Sequence, residues 1–297
     1  MQKFKTVVEP KHKMLDLKLK ETLSYRDLIF LFVKRDFVAR YKQTLLGPLW
    51  VIIQPLLSTL INFLMFGIIA ELGGFDVEGT REVPVYLFIM AGTTCWSYMS
   101  STISSASNTF LSNAGIMGKV YYPRLVSPIA SAFSNLINFG IQMLIFIVVA
   151  IIFALTGENS VAFTPWMLMF PVTLLQMMMF GVGLGLFLSA FTTKYRDITM
   201  LIGFALGLIG YLSPVNYGYY AISSKIPYEW MQNIYLLNPI SDIVLMFKQS
   251  LFGVGIYSSI GGMVWVWYGI SWAMTFIFLL LGIMLFNKTE RTFMDTI

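Results

Sequence analysis

The chain has 297 residues, of which 57% are hydrophobic and only 12% are charged, with a formal net charge of +5. Soluble domains carry about 25% charged residues, so this composition excludes an ordinary soluble protein and predicts an all-α integral membrane protein. A single cysteine, Cys95, excludes a disulfide framework and a thiolate metal site.

After a charged N-terminal part, the chain contains six long stretches without Lys, Arg, Asp or Glu. Each is near or above the roughly 20 residues that cross a bilayer core as a helix, with the fifth at the short end. We predict a cytoplasmic tail with an interfacial helix over 1–45, and a single transmembrane domain over 46–297. The predicted spans are 46–70, 84–110, 126–155, 165–191, 198–214 and 262–286.

The distribution of basic residues predicts the orientation. Residues 1–45 hold 11 of the 20 lysines and arginines, and such an excess is typical of the cytoplasmic side. Both termini are therefore expected in the cytoplasm of a multi-pass protein. The six apolar stretches lack the intramembrane charges that mark proton- or ion-coupled pathways, so any energy for transport is expected from outside this chain.

The stretch RDFVARYKQTLLGPLW (35–50) joins a basic helix directly to the first span. On a helical projection Arg35 and Lys42 lie opposite an apolar side, a pattern typical of an amphipathic helix in the membrane interface. Gly47-Pro48 then allows a sharp turn, with Pro in the first turn of the next helix. A simpler interpretation is that the basic residues only anchor span one. The apolar side consists of Phe30, Val33, Phe37 and Tyr41.

Two segments carry a family resemblance. RDFVARYKQTLLGPLWVIIQP (35–55) and YLLNPISDIVLMFKQSLFG (235–253) resemble the permease subunits of type-2 ABC exporters of polysaccharides, which export O-antigen, capsule or teichoic acid. The six spans and the cytoplasmic termini fit the same family. Lys248 is a departure, because the pattern favours arginine there.

The resemblance implies a homodimer that works with two copies of a separate ATPase subunit. It also implies short re-entrant or outer-face helices between spans five and six. The chain itself contains no G-x-x-x-x-G-K-[ST] phosphate loop. ATP and Mg²⁺ are therefore expected on the ATPase partner, and no cofactor is expected in this chain.

Span two carries hydroxyl side chains at helical spacing, and span three carries a similar polar stripe that includes Asn135, Asn138 and Gln142. Such stripes can hydrogen-bond to each other, bond back to their own helix, or line a hydrated path for a hydroxyl-rich substrate. In span four, Gly181 and Gly185 predict helix packing, and Gly203 and Gly207 repeat the spacing in span five. The span-two path candidates are Thr94, Ser97, Tyr98, Ser101, Ser104, Ser105 and Asn108.

Residues 211–230 are crowded with aromatic rings and broken by Pro and Gly. They predict either an aromatic belt at the outer interface or rings that stack on sugar faces along the path. The path candidates here are Tyr211, Tyr217 and Tyr219. Residues 231–252 predict two short helices broken at Asn238-Pro239.

Loop 111–125 lies on the predicted cytoplasmic side and can be a simple basic turn. In the resembled family, the corresponding loop docks into the ATPase. The residues expected to contact the ATPase are Lys119, Tyr121, Tyr122, Pro123 and Arg124.

These patterns predict a transporter permease of the bacterial inner membrane rather than an enzyme, since no His or paired carboxylates are grouped for acid–base catalysis. The expected cargo is a lipid-linked, O-antigen-like polysaccharide, whose pyrophosphate would be drawn to Arg35, Arg40 and Lys42. The alternatives are an ABC permease for a drug or another lipid, and a secondary transporter or channel. The expected partners are a second copy of the chain, the ATPase, the cargo and membrane lipids, and no nucleic acid. No catalytic or metal-binding residue is predicted.

Overall fold

The computed structural model describes residues 22, 24–42, 44–70, 83–120, 122–156, 164–219, 223, 225–226, 228–253 and 263–293. The predicted all-α class is confirmed, since every regular element in these ranges is helical. Residues 1–21 of the predicted tail lie outside them. The α-helices are α1 Arg26–Tyr41, α2 Trp50–Asn62, α3 Val85–Ser107, α4 Thr109–Met117, α5 Val126–Leu155, α6 Met169–Lys194, α7 Ile198–Leu212, α8 Glu229–Leu237, α9 Pro239–Phe252 and α10 Val264–Phe293.

Within the described ranges, four helical segments are long and apolar enough to cross a membrane: Trp50–Ile69, Val126–Leu155, Pro165–Lys194 and Val264–Glu290. They correspond to predicted spans one, three, four and six. Helix α3 has 23 residues, but its many hydroxyls lower its hydropathy below that of these four. Helix α7 is apolar and has only 15 residues. The crossing by α3 and α7 therefore stays a prediction.

Helix α6 lies at the centre of the bundle, where it packs against α3 and α10. Small residues allow the close approach. A Cβ on Gly181 would lie 3.0 Å from Thr102 of α3, and one on Gly183 would lie 2.7 Å from the backbone of Leu279 in α10. The packing predicted for the span-four glycines is confirmed. Gly203 and Gly207 of α7 instead face open space in the protomer.

Replacing Gly183 with alanine is expected to destabilise the protein by about 1–3 kcal/mol, because the new methyl group would push α10 away from α6. Gly140→Ala is the matched control, since its Cβ would have no neighbour within 4 Å. Thermal unfolding in detergent measures both variants. Equal thermal unfolding midpoints for the two variants would show that α10 shifts without loss of packing energy.

The predicted helix and turn before span one are present. Helix α1 ends at Tyr41, and Gly47 has a φ of +50°, a left-handed conformation that glycine adopts without strain. A short 3₁₀ turn, Gly47–Leu49, then leads into α2. The predicted apolar side of α1 is divided. Val33 is buried in contact with neighbouring elements, whereas Phe30 is 72% exposed.

The predicted break at Asn238-Pro239 is also present, between α8 and α9. The Asn238 side chain accepts a hydrogen bond from the backbone N–H of Ile240, and Pro239 occupies the first turn. Helix α9 is buried along its whole length against α3, α6 and α10. It therefore lies inside the protein, a burial that the predicted short helix between spans five and six did not specify.

Candidate functional site

A cavity of about 320 Å³ lies among the end of α1, α2, α3 and α5. Its lining is rich in hydroxyl and amide groups, with a few rings and the single cation Arg40. Among the residues that the structure describes, no carboxylate lines it. The lining residues are Arg40, Tyr41, Trp50, Val51, Gln54, Pro55, Ser58, Thr93, Thr94, Ser97, Tyr98, Ser101, Asn135, Asn138, Phe139 and Gln142.

The predicted polar stripe of α3 is divided between two surfaces and a helix contact. Thr94, Ser97, Tyr98 and Ser101 line the cavity. Ser101 also borders a shallow groove of about 480 Å³, where Ser104 and Ser105 face Gly203 and Gly207 of α7. Asn108 lines neither, because its side chain accepts a hydrogen bond from Thr199 at 3.0 Å and donates to the Ser104 carbonyl.

The stripe of α5 is divided in the same way. Asn135, Asn138 and Gln142 line the cavity. Nearer the start of the helix, Ser127 shares a hydrogen bond with Tyr122, and Ser131 donates to the Pro128 carbonyl. Hydrogen bonding at the start of α5 and cavity lining farther along therefore both occur, while the hydrated substrate path stays a prediction.

The three predicted cations do not form one cluster. Arg40 lines the cavity and donates to Asn135 Oδ1 at 2.9 Å. Arg35 forms an ion pair with Asp36 at 2.7 Å and donates to Asn113 of α4 at 3.0 Å. Lys42 is exposed.

Sequence reasoning missed a cavity role for Tyr41, which it placed on an apolar side. The Tyr41 hydroxyl donates to Asn138 Oδ1 at 3.0 Å. Together with the bond from Arg40 to Asn135, it ties the end of α1 to α5. These two side chains therefore form one wall of the cavity.

The predicted outer rings lie away from the cavity. Tyr211 is exposed, and its carbonyl accepts a hydrogen bond from the Tyr217 hydroxyl at 2.8 Å. Both rings lie beside Phe66, near the end of Trp50–Ile69. Tyr219 is buried and donates to Gln232 at 3.4 Å. These tyrosines connect neighbouring segments of the same chain.

The predicted docking loop contacts three helices, α1, α5 and α10. The Tyr122 ring packs edge-on against Phe32 of α1 at 5.5 Å, and Pro123 is buried. Arg124 donates to the Glu290 carbonyl at 3.0 Å and lies 3.5 Å from its carboxylate. Lys119 is exposed, and Tyr121 lies outside the described residues. A movement at this loop would pass directly to α1, α5 and α10.

Lys248, which the sequence marked only as a departure from the family pattern, has a structural role that was not predicted. The side chain is fully buried in α9, and its ammonium donates to the carbonyls of Pro214 at 2.6 Å and Val215 at 2.9 Å. It also lies 3.7 Å from the centre of the Phe88 ring. Because non-helical backbone inside a membrane protein needs hydrogen-bond partners, Lys248 satisfies the segment that follows α7. Asp242 on the same helix is buried too, so the absence of charge from the six apolar stretches does not extend to the protein interior.

The arrangement around the cavity offers hydrogen bonding and ring contacts to a bound group. Over the ranges that the structure describes, no three His, Cys, Asp or Glu side chains lie close enough to hold a metal ion. The cavity surface is thus suited to binding a polar group.

A cysteine placed in the cavity is expected to react with a water-soluble thiol reagent, because only a hydrated thiol readily forms the reactive thiolate. In a Cys95→Ala background, Ser97→Cys should react at least about tenfold faster than Leu144→Cys. The Leu144 side chain is 64% exposed on the outer surface of α5, which a membrane would cover. Labelling rates in membrane vesicles measure this, and equally slow labelling would show a dry cavity.

The matching family profile and similar curated proteins identify the same family. The sequence profile of the family described as "ABC-2 type transporter" matches residues 27–252. Two Klebsiella pneumoniae proteins, each named O-antigen export system permease protein RfbA, are 26% and 23% identical to this chain. Both alignments cover 95% of the chain and 99% of the relative. A Myxococcus xanthus protein of the same name is 25% identical, over 67% of this chain and 71% of the relative.

Proposed function

This chain belongs to the ABC-2 type transporter membrane family, and from that premise we propose that it is the membrane subunit of an ATP-driven polysaccharide exporter. Its cargo is a lipid-linked polysaccharide of the O-antigen type, moved outward across the bacterial inner membrane. The observation that carries the proposal is the polar cavity with a single cation, in a chain whose relatives are named O-antigen export permeases.

The end of α1 receives the charged head of the lipid carrier. Arg40 borders both the cavity and the groove between α3 and α7, and Lys42 is exposed two residues farther along. Cations at a membrane surface attract anionic head groups by about 1 kcal/mol each. Arg35 adds positive charge on the same helix, although Asp36 pairs with it.

The sugar chain follows the hydroxyl side chains of α3. Ser97 and Ser101 line the cavity, and Ser104 and Ser105 line the groove. A lining without carboxylates and with many weak hydrogen-bonding groups suits a long polymer, because a strong charged site would hold one unit and stall the rest.

The working assembly contains two copies of this chain and two ATPase subunits that bind ATP and Mg²⁺. In this proposal the chain crosses the membrane six times, both termini lie on the cytoplasmic side with the basic residues of the tail, and loop 111–125 contacts the ATPase there. The contacts of Tyr122 with α1 and of Arg124 with α10 support this role, since they join the loop to helices at both ends of the chain.

Deleting the gene for this protein tests the cargo. Mass spectrometry of lipid extracts should find polyprenyl-linked polysaccharide accumulating inside the cells while the surface glycan is lost, and the wild-type gene should restore export. Unchanged glycan on both sides of the membrane would contradict polysaccharide export. The cargo would then be a drug or another lipid.

A further inference from the structure

Hydroxyl side chains that point away from the cavity bond back to their own helix. Ser105 donates to the Ser101 carbonyl at 2.7 Å, Ser131 to the Pro128 carbonyl at 2.9 Å, and Ser100 to the Ser97 carbonyl at 3.3 Å. Such local bonds satisfy a hydroxyl inside a membrane protein without any other partner.

Several cavity-lining side chains behave differently. In the part of the chain that the structure describes, the side chains of Gln54, Ser58, Thr94, Ser97, Ser101 and Gln142 form no hydrogen bond, although neighbouring hydroxyls do. Gln142 is only 8% exposed, and its Oε1 is buried without a partner. Buried polar groups are normally paired, so the unpaired side chains of Thr94, which is 2% exposed, and Gln142 indicate a group that the cavity accepts.

The chemistry of the set selects an uncharged polyhydroxyl group. Each hydroxyl or amide can both donate and accept a hydrogen bond, as a sugar hydroxyl does. A fully ionised phosphate only accepts, so it would use the donors of these groups and leave the acceptor oxygens of the hydroxyls unused. The one cation, Arg40, already donates to Asn135, and the rings of Trp50 and Tyr98 give the apolar contact that a sugar face needs.

The size of the cavity limits the ligand. A volume of about 320 Å³ is at the small end of ligand pockets, about 300–1,000 Å³. It has room for about one sugar residue of the polymer at a time. Its walls come from the end of α1 and from α2, α3 and α5 of the same chain.

We propose that this cavity is a binding site for a single uncharged sugar residue within each protomer, walled by Thr94, Ser97, Asn138 and Gln142. The inference rests on the proposed function, since it identifies where the exported glycan is held. Each protomer thereby holds one unit of the polymer beside Arg40.

Binding is tested on the full-length protein in lipid nanodiscs by ligand-observed saturation-transfer NMR. The probes are neutral methyl hexosides and inorganic pyrophosphate, each at up to about 10 mM, ten times a millimolar dissociation constant. A hexoside should bind to the wild type. Gln142→Leu and Thr94→Val should weaken that binding by about tenfold, roughly 1.4 kcal/mol, whereas Ser131→Ala is the control, because its hydroxyl bonds to its own helix.

The outcomes separate this site from the transport function. Binding of pyrophosphate without any hexoside, or hexoside binding that survives both cavity variants, would overturn the sugar site. No hexoside binding at all would also overturn it, while trapped polysaccharide in the deletion strain would leave the export function standing. If the deletion leaves the glycan unchanged but the cavity variants still weaken hexoside binding, the sugar site is supported and the proposed polysaccharide cargo is contradicted.

Discussion

Replacing Lys248 with methionine should leave little folded protein in the membrane. Methionine has a similar length but cannot donate hydrogen bonds, so the carbonyls of Pro214 and Val215 would lose the ammonium that they share. A buried group without its partner costs about 1–3 kcal/mol, and a whole protein is stable by only about 5–15 kcal/mol. We expect the yield of monodisperse protein to fall by about tenfold or more, measured by fluorescence-detected size-exclusion chromatography of a fusion protein.

Lys225→Met is the matched control, since Lys225 is an exposed lysine in the segment that joins α7 to α8. Gly92→Ala provides a second test, because its new methyl group would collide with the Val215 carbonyl. It should produce the same defect as Lys248→Met. Wild-type yields for both variants would show that the segment after α7 is held by other contacts.

Replacing Arg40 with glutamine should reduce export by about tenfold while the ATPase stays bound. Glutamine can keep a hydrogen bond to Asn135 but removes the positive charge beside the cavity. A hydrogen bond to a charged group contributes about 1.5–3 kcal/mol, and 1.4 kcal/mol corresponds to a factor of ten. The rate at which glycan reaches the surface and co-purification of the ATPase subunit measure the two effects separately.

Lys34→Gln serves as the control, because Lys34 is an exposed cation of α1 that does not line the cavity. Arg35→Gln should also reduce export, by less, since Arg35 is engaged with Asp36 and Asn113 away from the cavity. Loss of the ATPase from the Arg40 variant would instead show that this end of α1 serves docking.

Uncharged runs and local capping residues made most helix positions predictable from the sequence. Helix α5 begins and ends at the predicted residues, 126 and 155, because an uncharged apolar run this long has no alternative to a helix. The break between α8 and α9 follows from Asn238, which caps α9, and from Pro239, which lacks the N–H to continue α8. The hydroxyl stripe of α3 was visible for a similar reason, since residues three and four apart share one face of a helix.

The partners that pack against each helix face were not predictable, because they come from distant parts of the chain. Arg35 and Arg40 are separated by little more than one turn, yet one meets Asn113 of α4 and the other Asn135 of α5. Two stripes of glycines with the same spacing also differ, since Gly181 and Gly185 pack against α3 while Gly203 and Gly207 face open space.

The sequence by itself determined the helical class, the family and the polar character of α3, because these depend on composition and on periodicity along one helix. Only the tertiary structure decided that Thr94, Ser97 and Gln142 meet around a cavity that Arg40 and Tyr41 close on one side. It also decided that Lys248 is buried against the carbonyls of Pro214 and Val215. From sequence alone, a lysine beside an apolar run has the same pattern whether it lies in a loop or in a core. The tertiary structure distinguishes the two cases, because it places backbone carbonyls within hydrogen-bond distance of the buried ammonium.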